Sequence, residues 1–212
     1  MYSNIKIGFD LDILLNTFCI EKVGQSNHLT EWTSSSYHLN AIEQSILDDL
    51  HTDMQTVGEY WNEEELKVQF VGAIFYIAKL NVAKKIQVFY ERPLSAKVDS
   101  HSLAVICDCL VASPLGINTP RTPYFFLQEL KKGKGEKKDP EAQMLMAAII
   151  AQEKNKDGKP LYGGYLIGGS WVFAMLIGKE YCTSRRYDAT RKEDIEQIVY
   201  ILRKLKELIL NR

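Results

Sequence analysis

Between Tyr37 and Val57 the apolar residues fall at Leu39, Ile42, Ile46, Leu50, Met54 and Val57, the spacing of one helical face. A second helix is predicted from Asn62, an N-capping residue with Glu65 three positions on as its capping-box partner. Leu66, Phe70, Ile74 and Ile77 give that helix its core stripe. The period then shortens: Ile86 to Tyr90, Ser102 to Ala112 and Tyr124 to Lys131 read as strands. Asp139-Pro140 predicts the next helix start, with Asp as N-cap and Pro at the first helical position. That helix should run to about Gln152 and end at the Asn155-Lys-Asp-Gly158 turn. Glycine-flanked runs at Tyr165–Ile167 and Trp171–Ile177 predict a hairpin, and Glu180–Arg185 a further short strand. Thr190-Arg-Lys-Glu193 reads as a capping box opening a last amphipathic helix through Ile195, Ile198, Val199, Leu202, Leu205 and Ile209. This order predicts an α/β fold, a central mixed β-sheet flanked by helices.

The first 37 residues carry a weaker signal. Ile5 to Ile20 mixes both periods, and Asp10 and Asp12 alternate with apolar residues as on a solvent-facing strand edge. Thr33-Ser-Ser-Ser36 reads as a loop or a helix start. Residues 1–58 are taken as an N-terminal extension with one amphipathic helix, suited to a homodimer or larger-complex contact, and residues 59–212 as the core. Ser113 to Pro123 holds three prolines and reads as a stiff loop.

A chain of 212 residues can bury a sizeable core. Its net charge of −1 excludes a generally basic nucleic-acid coat but not a local basic patch. Cys107 and Cys109 are spaced for neither a disulfide nor zinc, and His28, His38, His51 and His101 are scattered. With no signal-peptide pattern and no apolar run of the roughly 18 residues a span needs, the expectation is a soluble, reduced, cytoplasmic protein without membrane contact.

The candidate chemistry lies on the strand Tyr124-Phe-Phe-Leu-Gln-Glu129-Leu-Lys131, where Phe125, Leu127, Glu129 and Lys131 are expected to share a face. Acid-x-Lys occurs also at Glu65, Glu136 and Asp157, but only Glu129/Lys131 ends an apolar strand. Burying such a pair is costly unless the charges are paired, bound to metal or used. Asp108 is the sole charge of Leu103–Ala112 and is expected to share a face with Ile106 and Leu110. Alone it also fits a tolerated strand acid. Two carboxylates on adjacent strands suit a hard cation such as Mg²⁺, and a lysine beside them can hold water and balance charge on phosphorus. Lys132, Lys134, Lys137 and Lys138 follow in a loop without P-loop spacing, as phosphate contacts or as a solvated surface. Arg185 and Arg186 are further phosphate candidates, whereas Trp32, Trp61 and Trp171 fit packing better than base stacking.

An Asp on one strand, Glu129-Leu-Lys131 on the next, a helix carrying Gln143 and the acidic helix start Trp61-Asn-Glu-Glu-Glu-Leu66 together resemble the PD-(D/E)XK nuclease superfamily, bacterial members in particular. The resemblance covers roughly residues 60–205. It implies a restriction-endonuclease-like core with Mg²⁺ or Mn²⁺ held by Asp108, Glu129 and the carbonyl of Leu130. Lys131 would orient the attacking water, and Gln143 would bond near Lys131 or the substrate phosphate. Glu63, on the stripe of Leu66 and Phe70, would approach the metal in preference to Glu64. The partner implied is nucleic acid, DNA first. Cys107 stands where the family usually has Pro. The function expected is a metal-dependent phosphodiesterase; the alternative is a catalytically silent nuclease-like scaffold that binds nucleic acid or a protein partner.

Overall fold

The computed structural model describes residues 7–24, 26–131 and 139–212, and the strands among them form one seven-stranded sheet. The elements run α1 (Leu11–Thr17), β1 (Glu21–Lys22), α2 (Asn27–Thr33), α3 (Ala41–Thr56) and α4 (Glu63–Glu65). α4 continues through a wide π-type turn at Leu66–Val71 into α5 (Gly72–Ile77). Then come β2 (Gln87–Val98), β3 (His101–Leu115), β4 (Thr119–Lys131) and α6 (Pro140–Asn155). β5 (Leu161–Ile167), β6 (Ser170–Ile177), β7 (Glu180–Asp188) and α7 (Lys192–Leu210) complete the chain. The spatial order is β1-β7-β6-β5-β4-β3-β2. β4 and β5 are parallel, as are β1 and β7; the other neighbours are antiparallel. This is the α/β mixed sheet flanked by helices that the pattern predicts.

The local chemistry explains the element starts. Asn62 Oδ1 accepts the Glu65 amide at 2.9 Å while Glu65 Oε2 accepts the Asn62 amide at 2.8 Å, closing the predicted capping box. Asp139 accepts the Glu141 amide at 2.9 Å, with Pro140 at the first helical position. A parallel β4–β5 pair needs a crossover, and α6 supplies it. Each sheet face buries its own core. Trp32, Leu47, Phe70, Phe75, Phe126 and Leu202 pack on one side, under α2, α3, α5 and α7. Leu14, Phe18, Leu94, Leu127, Leu145 and Ile150 pack on the other, around α6 and α1. The stretch read as an extension thus contributes side chains to both cores, and β1 adds a strand.

Three local expectations are corrected. Asp10 and Asp12 are not on a strand edge: Asp10 caps α1 by accepting the Ile13 amide at 3.0 Å, and Asp12 lies in its first turn. Short polar side chains favour caps for that reason. The proline-rich segment is mostly strand, with Ser113↔Arg121, Pro114↔Pro120 and Leu115↔Thr119 paired around a short turn. Prolines fit there because the ladder is already irregular, with register shifts at Ala112. Thr190 does not cap α7; its hydroxyl donates to Asp188 at 2.7 Å and Arg191 takes the N-cap position. Among the described residues no helix is long and apolar enough to cross a membrane.

Candidate functional site

The β2–β3 ladder carries the feature that builds the site. Its register passes from Tyr90↔Cys109 to Arg92↔Cys107, leaving Glu91 and Asp108 as an unpaired step. On β3, Leu103, Val105 and Cys107 face the α6 core, but beyond Asp108 it is Leu110 and Ala112 that do. β2 switches too, because Phe89 and Leu94, five positions apart, face that same core. Period-two alternation cannot produce either spacing. At that step stands Glu91, whose φ of 53° is left-handed inside a strand, a conformation costing a non-glycine residue about 1–2 kcal/mol. Ile106, Asp108 and Leu110 therefore do not share a face: Ile106 is 59% exposed and Leu110 is buried. The register shifts opposite Ala112 have a matching effect on β4. Phe125 joins Phe126 in the first core while Leu127 faces the second, so Phe125 is not on the face of Leu127.

One step past the last β3–β4 pair, Cys109↔Gln128, Asp108 Oδ2 accepts the Leu130 amide at 2.7 Å. Glu129 is fully buried. Gln143 Nε2, from the first turns of α6, donates to its Oε2 at 3.2 Å. The Cys107 thiol and the Asp108 carboxyl also lie close enough to Glu129 to act on it as side-chain hydrogen-bond partners, while Gln143 Oε1 has no hydrogen-bond partner among the described residues. Burial pushes the Glu129 carboxyl well above the usual range, and the charge of Asp108 pushes it further. Burial also raises Asp108, against the lowering pull of the Leu130 amide, Lys131 and Lys67. The Cys107 and Cys109 thiols are raised by the same burial, which makes them poor nucleophiles.

Lys131 Nζ donates to the Leu130 carbonyl at 2.8 Å and to Glu63 Oε1 at 3.0 Å. Leu130 thus presents its N–H to Asp108 and its C=O to Lys131. Glu63 reaches the site through Lys131, whereas Glu64 turns to Lys67 at 2.8 Å. Two bonded sets thus meet along the end of β4: Asp108, Leu130, Lys131 and Glu63 in one, Glu129 and Gln143 in the other. Lys132, Lys134, Lys137 and Lys138 lie outside the described residues. Arg185 is engaged elsewhere, bonded to Asp194 at 2.7 Å and stacked 4.0 Å over Tyr187. Trp32, Trp61 and Trp171 are buried, as packing residues should be.

Two residues that sequence reasoning passed over adjoin the site. Lys67 is 6% exposed and is ion-paired with Glu64 and Glu91, the left-handed residue facing the ladder gap. Its signal was a lysine inside an apolar helical stripe. The π-type turn lets Leu66, Lys67, Phe70 and Val71 all be buried. Tyr165, opposite Glu129 in the β4–β5 register, donates its hydroxyl to Glu141 at 3.2 Å.

The oxygens at hand for a cation are two carboxylates and the Leu130 carbonyl; no cluster of three His, Cys, Asp or Glu side chains occurs among the described residues. That set fits an ion that takes one or two carboxylates and keeps its waters. Glu129, fully buried beside the charge of a second acid, is the observation that fits such an ion. Among known proteins, no family model matches this chain and no curated protein matches it.

Proposed function

We propose that this chain is a Mg²⁺- or Mn²⁺-dependent phosphodiesterase of restriction-endonuclease-like architecture, acting on DNA. What carries the reading is a fully buried Glu129 set against the charge of Asp108, with a lysine on the next residue but one of the same strand. Asp108, Glu129 and the Leu130 carbonyl would hold the ion. When bound, it would lower the pKa of water and stabilise charge on the phosphoryl oxygens. Lys131, fixed by Leu130 and Glu63, would place its ammonium beside the attacking water and the phosphate. Gln143 keeps the Glu129 carboxylate in one rotamer through the Oε2 bond. The four lysines after Lys131 would meet the nucleic-acid backbone.

A cleavage assay on supercoiled, linear, single-stranded and branched DNA with Mn²⁺ or Mg²⁺, run beside Asp108→Ala and Lys131→Ala, tests the reading. Metal-dependent cutting lost in both variants is the expected result. Calorimetry should find Mn²⁺ binding weakened by Asp108→Ala and Glu129→Ala but not by Lys131→Ala; equal affinity in all three would sink the assignment. The complete burial of Glu129 favours a second reading, a silent scaffold in which both acids serve structure and the chain binds nucleic acid or a protein. No cutting and no Mn²⁺ binding would select it.

A further inference from the structure

Glu91 is the one left-handed non-glycine residue within a strand among the described residues; Cys19, Lys79, Lys84, Asp99 and Lys156 stand in turns or at helix ends. A conformation of that kind inside a ladder persists only where the surroundings over-determine it. What surrounds Glu91 is Lys67, whose ammonium is nearly buried although both its carboxylate partners are exposed, Glu64 at 73% and Glu91 at 53%. Lys67 is too covered to serve as an open phosphate contact. It ties the helix to β2 at the one step where β2 and β3 do not pair, directly across from Asp108. The same short helix start grips β4 of the site and the strand beside Asp108, with Glu63 on Lys131 of β4 and Glu64, through Lys67, on Glu91 of β2.

We infer that the Lys67–Glu91 ion pair is a positioning clamp: it holds β2 in its left-handed step and thereby keeps the Asp108 carboxylate seated on the Leu130 amide. The role this gives Asp108 deepens the proposed metal site and rests on that reading. Neither clamp residue touches the reacting atoms; both act through Asp108.

The test uses the full chain with Lys67→Met, Lys67→Arg and Glu91→Gln. Hydrogen exchange of the Leu130 amide, followed by NMR without metal, reads the Asp108 bond directly. Mn²⁺ calorimetry reads the metal site separately. In Lys67→Met and Glu91→Gln the Leu130 amide should exchange at least about tenfold faster while β6 amides stay unchanged, and Mn²⁺ affinity should fall about tenfold. Lys67→Arg should restore both. Glu91 is half exposed, so Glu91→Gln stands in if Lys67→Met does not fold. Unchanged Leu130 exchange in a folded variant overturns the clamp even where Mn²⁺ binds to the wild type. Faster Leu130 exchange in a chain that binds no Mn²⁺ keeps the clamp and defeats the metal reading instead.

Discussion

Glu43 on α3 and Glu129 on β4 are both buried carboxylates, and their surroundings differ in kind. Glu43 has Lys79 Nζ at 2.6 Å, Arg203 Nη2 at 2.8 Å and the Asn40 amide at 3.0 Å. Burial alone would raise its pKa, but Lys79 and Arg203 more than offset this and hold it at about 2. Glu129 has an amide donor from Gln143 and a repelling Asp108, and its pKa goes up. The first acid sits between two cations and ties α3 to α7 and to the turn after α5. The second is held by an amide donor and pushed toward its protonated form, an environment that the proposed ligand role would use.

The largest effect that would break this contrast is on activity. Asp108→Asn and Glu129→Gln should each lower metal-dependent DNA cleavage about 10³-fold, or about 4 kcal/mol of transition-state stabilisation; wild-type rates in a plasmid-nicking assay would end the distinction. Next, Glu43→Gln should cost about 3 kcal/mol in urea unfolding, because Arg203 is left buried and unpaired. The acid limb follows from the same pair. A folded pKa near 2 against 4.5 unfolded means stability that is full above pH 4.5 and lost as pH falls toward 2. Glu43→Gln should flatten that limb of a stability-versus-pH curve. Gly164→Ala, on the strand beside Glu129, should cost about 2 kcal/mol. Its Cβ would sit 2.8 Å from Gln128 Oε1 and 3.0 Å from the Val172 carbonyl. Smallest and opposite in sign, Glu129→Leu combined with Gln143→Leu should stabilise by about 1 kcal/mol in thermal unfolding, since it exchanges a buried polar pair for packing.

Much of the fold was legible because its signals are local. Asn62 with Glu65, and Asp139 with Pro140, announce their helices within four residues, and the apolar runs mark part of each long strand, although β2 continues past the expected Tyr90 to Val98 and β4 begins at Thr119. Glu129 and Lys131 were legible as charges ending an apolar strand. What stayed hidden depends on a neighbour distant in sequence. The face change at Asp108 falls opposite the left-handed step of Glu91 on another strand, and no alternation count along β3 contains it. Lys67 lay in view as part of an acid-x-Lys match on a helix, but its partner Glu91 is 24 positions away. Asp10 shows a further limit: two acids alternating with apolar residues suit a strand edge and a capped helix start equally well.

The two-stranded pairing of β1 with β7 has a bearing on how the chain is made. Trp32 donates its indole N–H to the Ile201 carbonyl, 169 positions later, and Glu21 aligns with Glu180. A ribosome releases the N-terminal aromatic residues well before the strand and helix that cover them exist. Until α7 emerges, Leu29, Trp32 and Leu47 have only part of their burial site. Synthesis of this protein should therefore pass through a long interval in which its first helices are clients for chaperones.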